Sequence, residues 1–216
     1  MKKALNNKFK STIPSALGNL RGSMAGFVCY THNGETIVRT KPSHPTVSKT
    51  DKQIATREGF KLIANAYKSF KEIVNIGFPD RSKNLTPYNK FMTANVSTAI
   101  DRSGNVSVID YSKLTLSSGY LPMVTIKSLE ADDIGISIIY KTDLIIPLIS
   151  ASDQIIAFAK LKTGELIITK QVRGYEESAT IFIPLQGINS IEVECCYLFA
   201  LNADGRNASK STYVEL

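Results

Sequence analysis

Apolar and polar positions change their spacing near residue 105. Before that point Ile63, Ala66, Tyr67, Phe70, Ile73 and Val74 recur at steps of three and four, the spacing of one helix face. Thr50 or Asp51 can cap such a helix, and Lys52, Arg57, Lys61, Lys68 and Lys71 fall mainly off its apolar stripe. Phe78 to Thr86 reads as a polar loop. Pro87 suits the first turn of a second helix with Thr86 as its N-cap, and Tyr88, Phe91, Met92, Val96, Ala99 and Ile100 give that helix a buried face until Arg102-Ser103-Gly104-Asn105 ends it. Two helices joined by a short loop predict an antiparallel helical hairpin with its basic residues outside.

From Val106 onward the period falls to two. Strands are predicted over 113–117, 123–128, 134–141, 154–161, 165–171, 179–184, 191–201 and 210–215, short runs separated by turn signals that indicate an antiparallel sandwich. Roughly 100 residues is the size of one immunoglobulin- or fibronectin-like domain. At the other end, Gly18, Gly22 and Gly26 recur every four residues and lead into Phe27-Val28-Cys29-Tyr30-Thr31, then His32-Asn33-Gly34-Glu35, then Thr36-Ile37-Val38-Arg39-Thr40. Asn-Gly between two β-rich runs predicts a hairpin over 27–40. The glycines match neither a dinucleotide-binding nor a phosphate-loop pattern and fit turns with positive φ or close backbone approach. Lys41 to Lys49 carries Pro42 and Pro45 and reads as a loop or extended arm. The expected fold class is α+β: an N-terminal β-hairpin plus helical hairpin over 1–105, followed by an immunoglobulin/fibronectin-like antiparallel β-sandwich over 106–216.

Charge follows the same division. The net +7 of the 216 residues is the sum of 17 − 6 = +11 in residues 1–105 and 9 − 13 = −4 in residues 106–216. Opposite halves of this kind address partners, not the fold. A polyanion such as nucleic acid would favour the basic half, and a second copy could dock its acidic half there, head to tail.

Gly18-Asn19-Leu20-Arg21-Gly22, the hairpin ending Val38-Arg39-Thr40-Lys41-Pro42, the following helix, and the closing Tyr197-Leu198-Phe199-Ala200, Asp204-Gly205-Arg206 and Ser211-Thr212-Tyr213-Val214 together resemble an uncharacterised family of Bacteroidota proteins. That resemblance spans nearly the whole chain and implies a glycine-rich N-terminal hairpin, a helical region and a fibronectin-like C-terminal domain. It implies no catalytic residues, because its motifs are turns and strands. The chain departs from the pattern before the first helix: many members have Asn-Pro-Arg-Thr followed by glutamines, and this sequence reads His44-Pro45-Thr46-Val47.

Little else in the sequence speaks for chemistry. The three cysteines, Cys29, Cys195 and Cys196, include an adjacent pair that a strand would point to opposite faces, so no disulfide framework is expected and a reducing compartment fits. His32 and His44 stand at turns with no nucleophile motif nearby. Glu130, Asp132 and Asp133 form an acidic cluster that reads as a solvated loop, and Asp204-Gly205 reads as a turn. The longest apolar runs, Leu144 to Ile149 and Cys195 to Leu201, are far shorter than the roughly 20 residues of a membrane-spanning helix. Met1 to Lys10 is basic, but Ser11 to Arg21 supplies no apolar signal core, so synthesis in the cytoplasm without a secretory signal is expected.

The sequence therefore points to a non-enzymatic structural protein without cofactor or metal, forming homo-oligomers or particle subunits in a virion or filament. The candidate assembly residues are Gly18, Arg21, Gly22, Gly26, Val28, Tyr30, Arg39 and Lys41. The alternative is a nucleic-acid-associated protein using Lys2, Lys3, Lys8, Lys10, Arg57, Lys61 and Lys68, with aromatic Phe9, Tyr67 and Phe70 near the lysines. A carbohydrate- or protein-binding accessory module is a third reading, by analogy of fold.

Overall fold

The structure is a computed structural model and describes residues 11–13, 21–32, 35–41, 50–80, 85–103, 106–132 and 134–216. It divides into two compact units, Met1–Lys49 and Thr50–Leu216. The division falls between Lys49 and Thr50, not at residue 105, because the helices share a core with the strands that follow them.

In the first unit four strands, β1 (Ser11–Ile13), β2 (Gly22–Met24), β3 (Phe27–His32) and β4 (Glu35–Thr40), form one antiparallel sheet in the order β1-β4-β3-β2. The expected hairpin is β3–β4, running from the Phe27–Thr40 pair to the His32–Glu35 pair; its Asn33-Gly34 turn lies outside the described residues. Short edge strands extend it on both sides, Ser11 facing Val38 and Gly22 facing Cys29.

The second unit begins with α1 (Asp51–Gly77), whose buried stripe is Gly59, Ile63, Ala66, Phe70, Ile73, Val74 and Gly77. Gly77 is required by space, since a Cβ there would collide with the Leu116 carbonyl and Ser117. The second helix, α2 (Pro87–Asn95), starts as expected, with the Thr86 hydroxyl accepting from the Asn89 amide at 3.2 Å. It is shorter than its apolar periodicity suggests. The fully buried Asn95 side chain donates to the Phe91 and Thr115 carbonyls and accepts from the Thr115 amide, at 2.7–2.8 Å, and after it the chain turns into β5 (Ile100–Asp101), paired with β6 (Val108–Ile109). Tyr88, expected in the core, is 37% exposed.

Seven further strands follow: β7 (Ile126–Ala131), β8 (Gly135–Lys141), β9 (Gln154–Leu161), β10 (Leu166–Val172), β11 (Ser178–Pro184), β12 (Val193–Leu201) and β13 (Thr212–Val214). They form two antiparallel sheets, β10-β9-β12-β13 and β11-β8-β7. The chain is thus mixed α+β. The strand expected over 113–117 does not form. A 3-10 turn occupies Tyr111–Lys113, and the next amides are taken by side chains and a helix end instead of a neighbouring strand: Thr115 by Asn95, Leu116 by the Ser211 hydroxyl, Ser118 by the Gly77 carbonyl.

Two cores meet at the β9–β12 pair. On one side Ile156, Phe158, Cys195, Tyr197 and Phe199 pack with Phe70, Ile73 and Phe91 of the helices, the Phe158 and Tyr197 rings stacked with centroids 5.4 Å apart. On the other, Ile155, Ala157, Ala159, Cys196, Leu198 and Ala200 pack with Ile136, Ile138, Ile181 and Ile183 of the second sheet. Helices, four-stranded sheet and three-stranded sheet make three layers in this unit.

Candidate interaction surface

Strand alternation and cross-strand register decide what the first unit's sheet presents. Val28 lies opposite Ser23 and Arg39, and Tyr30 opposite Ile37, so these share one face. The Arg39 guanidinium sits 5.7 Å from the Tyr30 ring centroid, within cation–π range. Phe27, Cys29 and Val38 fall on the other face. Phe27 is 50% and Tyr30 39% exposed, and among the described residues only Thr36 and Ile37 of this unit are buried.

Of the candidate assembly residues, Arg21, Gly22, Gly26, Val28, Tyr30, Arg39 and Lys41 all belong to this sheet or its immediate ends. Gly18 lies outside the described residues. Arg21 Nε donates to the Thr31 hydroxyl at 3.5 Å, and the Lys41 amide donates to the Gly26 carbonyl at 2.7 Å. The glycines differ in what they do. Gly22 has φ +132°, a conformation closed to other residues, whereas the β2–β3 turn places its positive φ, +50°, on Ala25, and a Cβ at Gly26 would meet open space.

The basic residues proposed for nucleic acid separate. Lys2, Lys3, Lys8 and Lys10, with Phe9, lie outside the described residues. Arg57, Lys61 and Lys68 are exposed on α1 and, at i, i+4 and i+11, share one face within about 40°. Phe70 is fully buried and Tyr67 packs on Tyr88 and Phe91 at 4.8 and 5.9 Å, so neither ring is a free stacking platform.

Two polar clusters lie in the second unit, both missed by reading the sequence. Lys160, 8% exposed, pairs with Glu194 and stands 6.0 and 5.8 Å from the Phe70 and Tyr111 rings. Tyr111 donates its hydroxyl to Glu194 at 2.9 Å and accepts at its carbonyl from the Tyr197 hydroxyl at 2.6 Å; burial, reinforced by Glu194, pushes the Tyr111 phenol above its ordinary range. Every group here is matched, which makes it a lock between sheet and 3-10 turn. The second cluster holds two loops at one end of the strands. Arg173, 1% exposed, donates to the Thr142 carbonyl at 2.8 Å and faces Asp153 at 3.8 Å, while burial lowers its guanidinium pKa and Asp153 opposes that shift. The Thr142 hydroxyl donates to the Glu176 carbonyl, and the Thr142 and Gly174 amides to the Glu177 and Ala151 carbonyls at 3.2 and 3.0 Å. No sequence motif announces either cluster, because each joins residues distant along the chain.

A groove of about 940 Å³ is lined by Phe78, Leu85, Lys90, Ala94, Tyr120 and Arg206, among others; its lysine is already paired with Asp80. Asp132 caps its own turn by accepting from the Ile134 and Gly135 amides at 2.9 and 2.8 Å. Among the described residues no three His, Cys, Asp or Glu come together as a metal site, the three cysteines are unpaired, and no helix is long and apolar enough to cross a membrane.

Searches of curated proteins and of solved structures returned no match. One family model runs from within the glycine-rich segment through both sheets of the second unit, matching residues 19–215, and on that span the chain belongs to a family of unknown function (DUF6266).

Proposed function

We propose that this chain is a non-enzymatic structural subunit that assembles with itself, or within a larger particle such as a virion or filament, through its N-terminal arm, its first sheet and the strands of its second unit. The observation that carries the reading is the first sheet itself: a single layer of four strands with apolar side chains on both faces, Val28 and Tyr30 on one, Phe27 and Val38 on the other. Among the described residues of this unit no second layer covers the sheet, and a sheet of that kind cannot shield its apolar groups from water; its edges are three-residue strands, the kind of edge that strand addition extends. Charge supports the same reading. Residues 1–49 hold eight basic and one acidic side chain, 8 − 1 = +7, and residues 50–216 hold 18 − 18 = 0, so the basic surplus of the whole chain sits on the first unit.

The second unit provides the surface to be paired. Its strand order, β11-β8-β7 facing β10-β9-β12-β13, supports an immunoglobulin/fibronectin-like sandwich of the kind expected for the Bacteroidota proteins the chain resembles; β10, β11, β7 and β13 are its edges.

The test is light scattering after size exclusion. Wild type elutes as an assembly far above 23.7 kDa; Val28→Pro, which removes a ladder donor from a central strand, elutes as a monomer with the unfolding transition of the second unit unchanged. Assembly that survives Val28→Pro sinks the proposal. The shared exposed face of Arg57, Lys61 and Lys68 keeps nucleic acid as a second reading, marked by co-elution of material absorbing at 260 nm that salt removes steeply.

A further inference from the structure

The loops that Arg173 ties together, residues 142–153 and 173–177, present apolar side chains to solvent. Ile145 is 99% exposed and Leu148 69%, with Tyr175 at 88% on the adjoining loop. Leu148 also holds φ +75° and Asp143 φ +51°, positions that cost a non-glycine residue free energy. A buried ion pair is thus used to hold in place loops that expose their apolar residues. Exposed apolar clusters of this kind mark contact sites.

Charge selects the occupant. Within the two loops Arg173 is committed to Asp153 and Thr142 and also feels Asp143, which leaves the carboxylates of Glu176 and Glu177, with Lys127, 3.7 Å from Glu177, the one cation in a salt bridge to them among the described residues. An anionic lipid surface or a nucleic acid would be repelled. A basic surface that also offers exposed apolar and aromatic groups would fit, and the first sheet is one: its described residues carry Arg21, Arg39 and Lys41 against Glu35, in a unit whose sequence is net +7, with Phe27 and Tyr30 exposed beside them. We infer that the paired loops 142–153 and 173–177 are the acceptor site for the basic first sheet of a second copy of this chain, joining copies head to tail. The inference rests on the self-assembly reading and names its acceptor. A heterologous contact of this type repeats from copy to copy and so builds rings or filaments.

Sedimentation velocity on the full chain tests it. Ile145→Asp with Leu148→Asp weakens self-association about tenfold or more and leaves circular dichroism and the unfolding midpoint unchanged, since neither residue belongs to a core. Glu176→Lys with Glu177→Lys weakens it too, as does Arg39→Glu with Lys41→Glu, and mixing these two reversed proteins restores it. Wild-type association by the Ile145/Leu148 variant, or no restoration on mixing, overturns the acceptor site. If Val28→Pro has meanwhile dissolved the assembly, the self-assembly reading stands without it; a wild type that is monomeric at every concentration removes both. Flotation of wild type, but not of the Ile145/Leu148 variant, with phosphatidylserine vesicles would assign the loops to lipid and overturn the inference.

Discussion

The two four-stranded sheets of this chain share size and antiparallel order but differ in what covers them. In β10-β9-β12-β13 the central strands are buried along nearly their whole length, by helices on one face and a second sheet on the other. In β1-β4-β3-β2 the hairpin buries only Thr36 and Ile37 among the described residues. Strand pairing is alike in the two; the stabilising area removed from water is not. Hydrogen-bonded strands alone therefore do not make a domain, because backbone bonds exchanged for bonds to water add little net stability, and apolar burial must supply the rest.

The sharpest way to test this contrast is matched truncation. Phe199→Ala, in the helix-facing core, should lower the stability of the second unit by about 3–5 kcal/mol, whereas Ile37→Ala, which belongs to neither core cluster, should leave that transition within about 0.5 kcal/mol. Urea titrations of both variants check it, and equal losses would erase the distinction. Smaller, but still large, is the loss of Asn95. Asn95→Ala removes the side-chain partner of the Thr115 amide and of the Thr115 and Phe91 carbonyls and should cost about 2 kcal/mol, read from the same titration. Least costly to stability and most direct as a probe is thiol labelling. Burial pushes the Cys195 and Cys196 thiols up to about 12, leaving roughly one thiolate in ten thousand at pH 8. One cysteine, the half-buried Cys29, should therefore label with a chromogenic disulfide reagent in the native protein and the other two only on unfolding. Three fast thiols would show the second unit to be open.

Local signals in the sequence located most elements. Thr86 and Pro87 start α2, Asn33-Gly34 separates the hairpin strands, and seven of the eight strands expected after residue 106 fall within a few residues of their predicted spans. The layering was not legible in the same way, although a clue was present. Cys195 to Leu201 is continuously apolar, and a strand that is apolar at every position needs cover on both faces; only α1 and α2 were available for the second face. Read so, it would have placed the helices with the sheets and moved the boundary to residue 49. Leu114 and Leu116 misled for the converse reason, alternating as in a strand because they alternate into the core from a segment whose amides are held by Asn95 and Ser211. Arg173 with Asp153, and Lys160 with Glu194, pair residues 20 and 34 positions apart, beyond any local pattern.

The two-sided burial of β9 and β12 carries a consequence for folding fidelity. Most half-buried strands are kept in register by polarity, since a slip of one residue would turn their apolar side to water. Here a slip would exchange apolar for apolar. What distinguishes the faces is volume and a single charge: Phe158, Tyr197 and Phe199 lie toward the helices, Ala157, Ala159 and Ala200 toward the second sheet, and Lys160 reaches Glu194 on the helix side alone. A mispaired sheet would drive three aromatic rings into space shaped for methyl groups and carry an ammonium into the core between the sheets, away from Glu194, so steric volume polices the alignment that polarity leaves open.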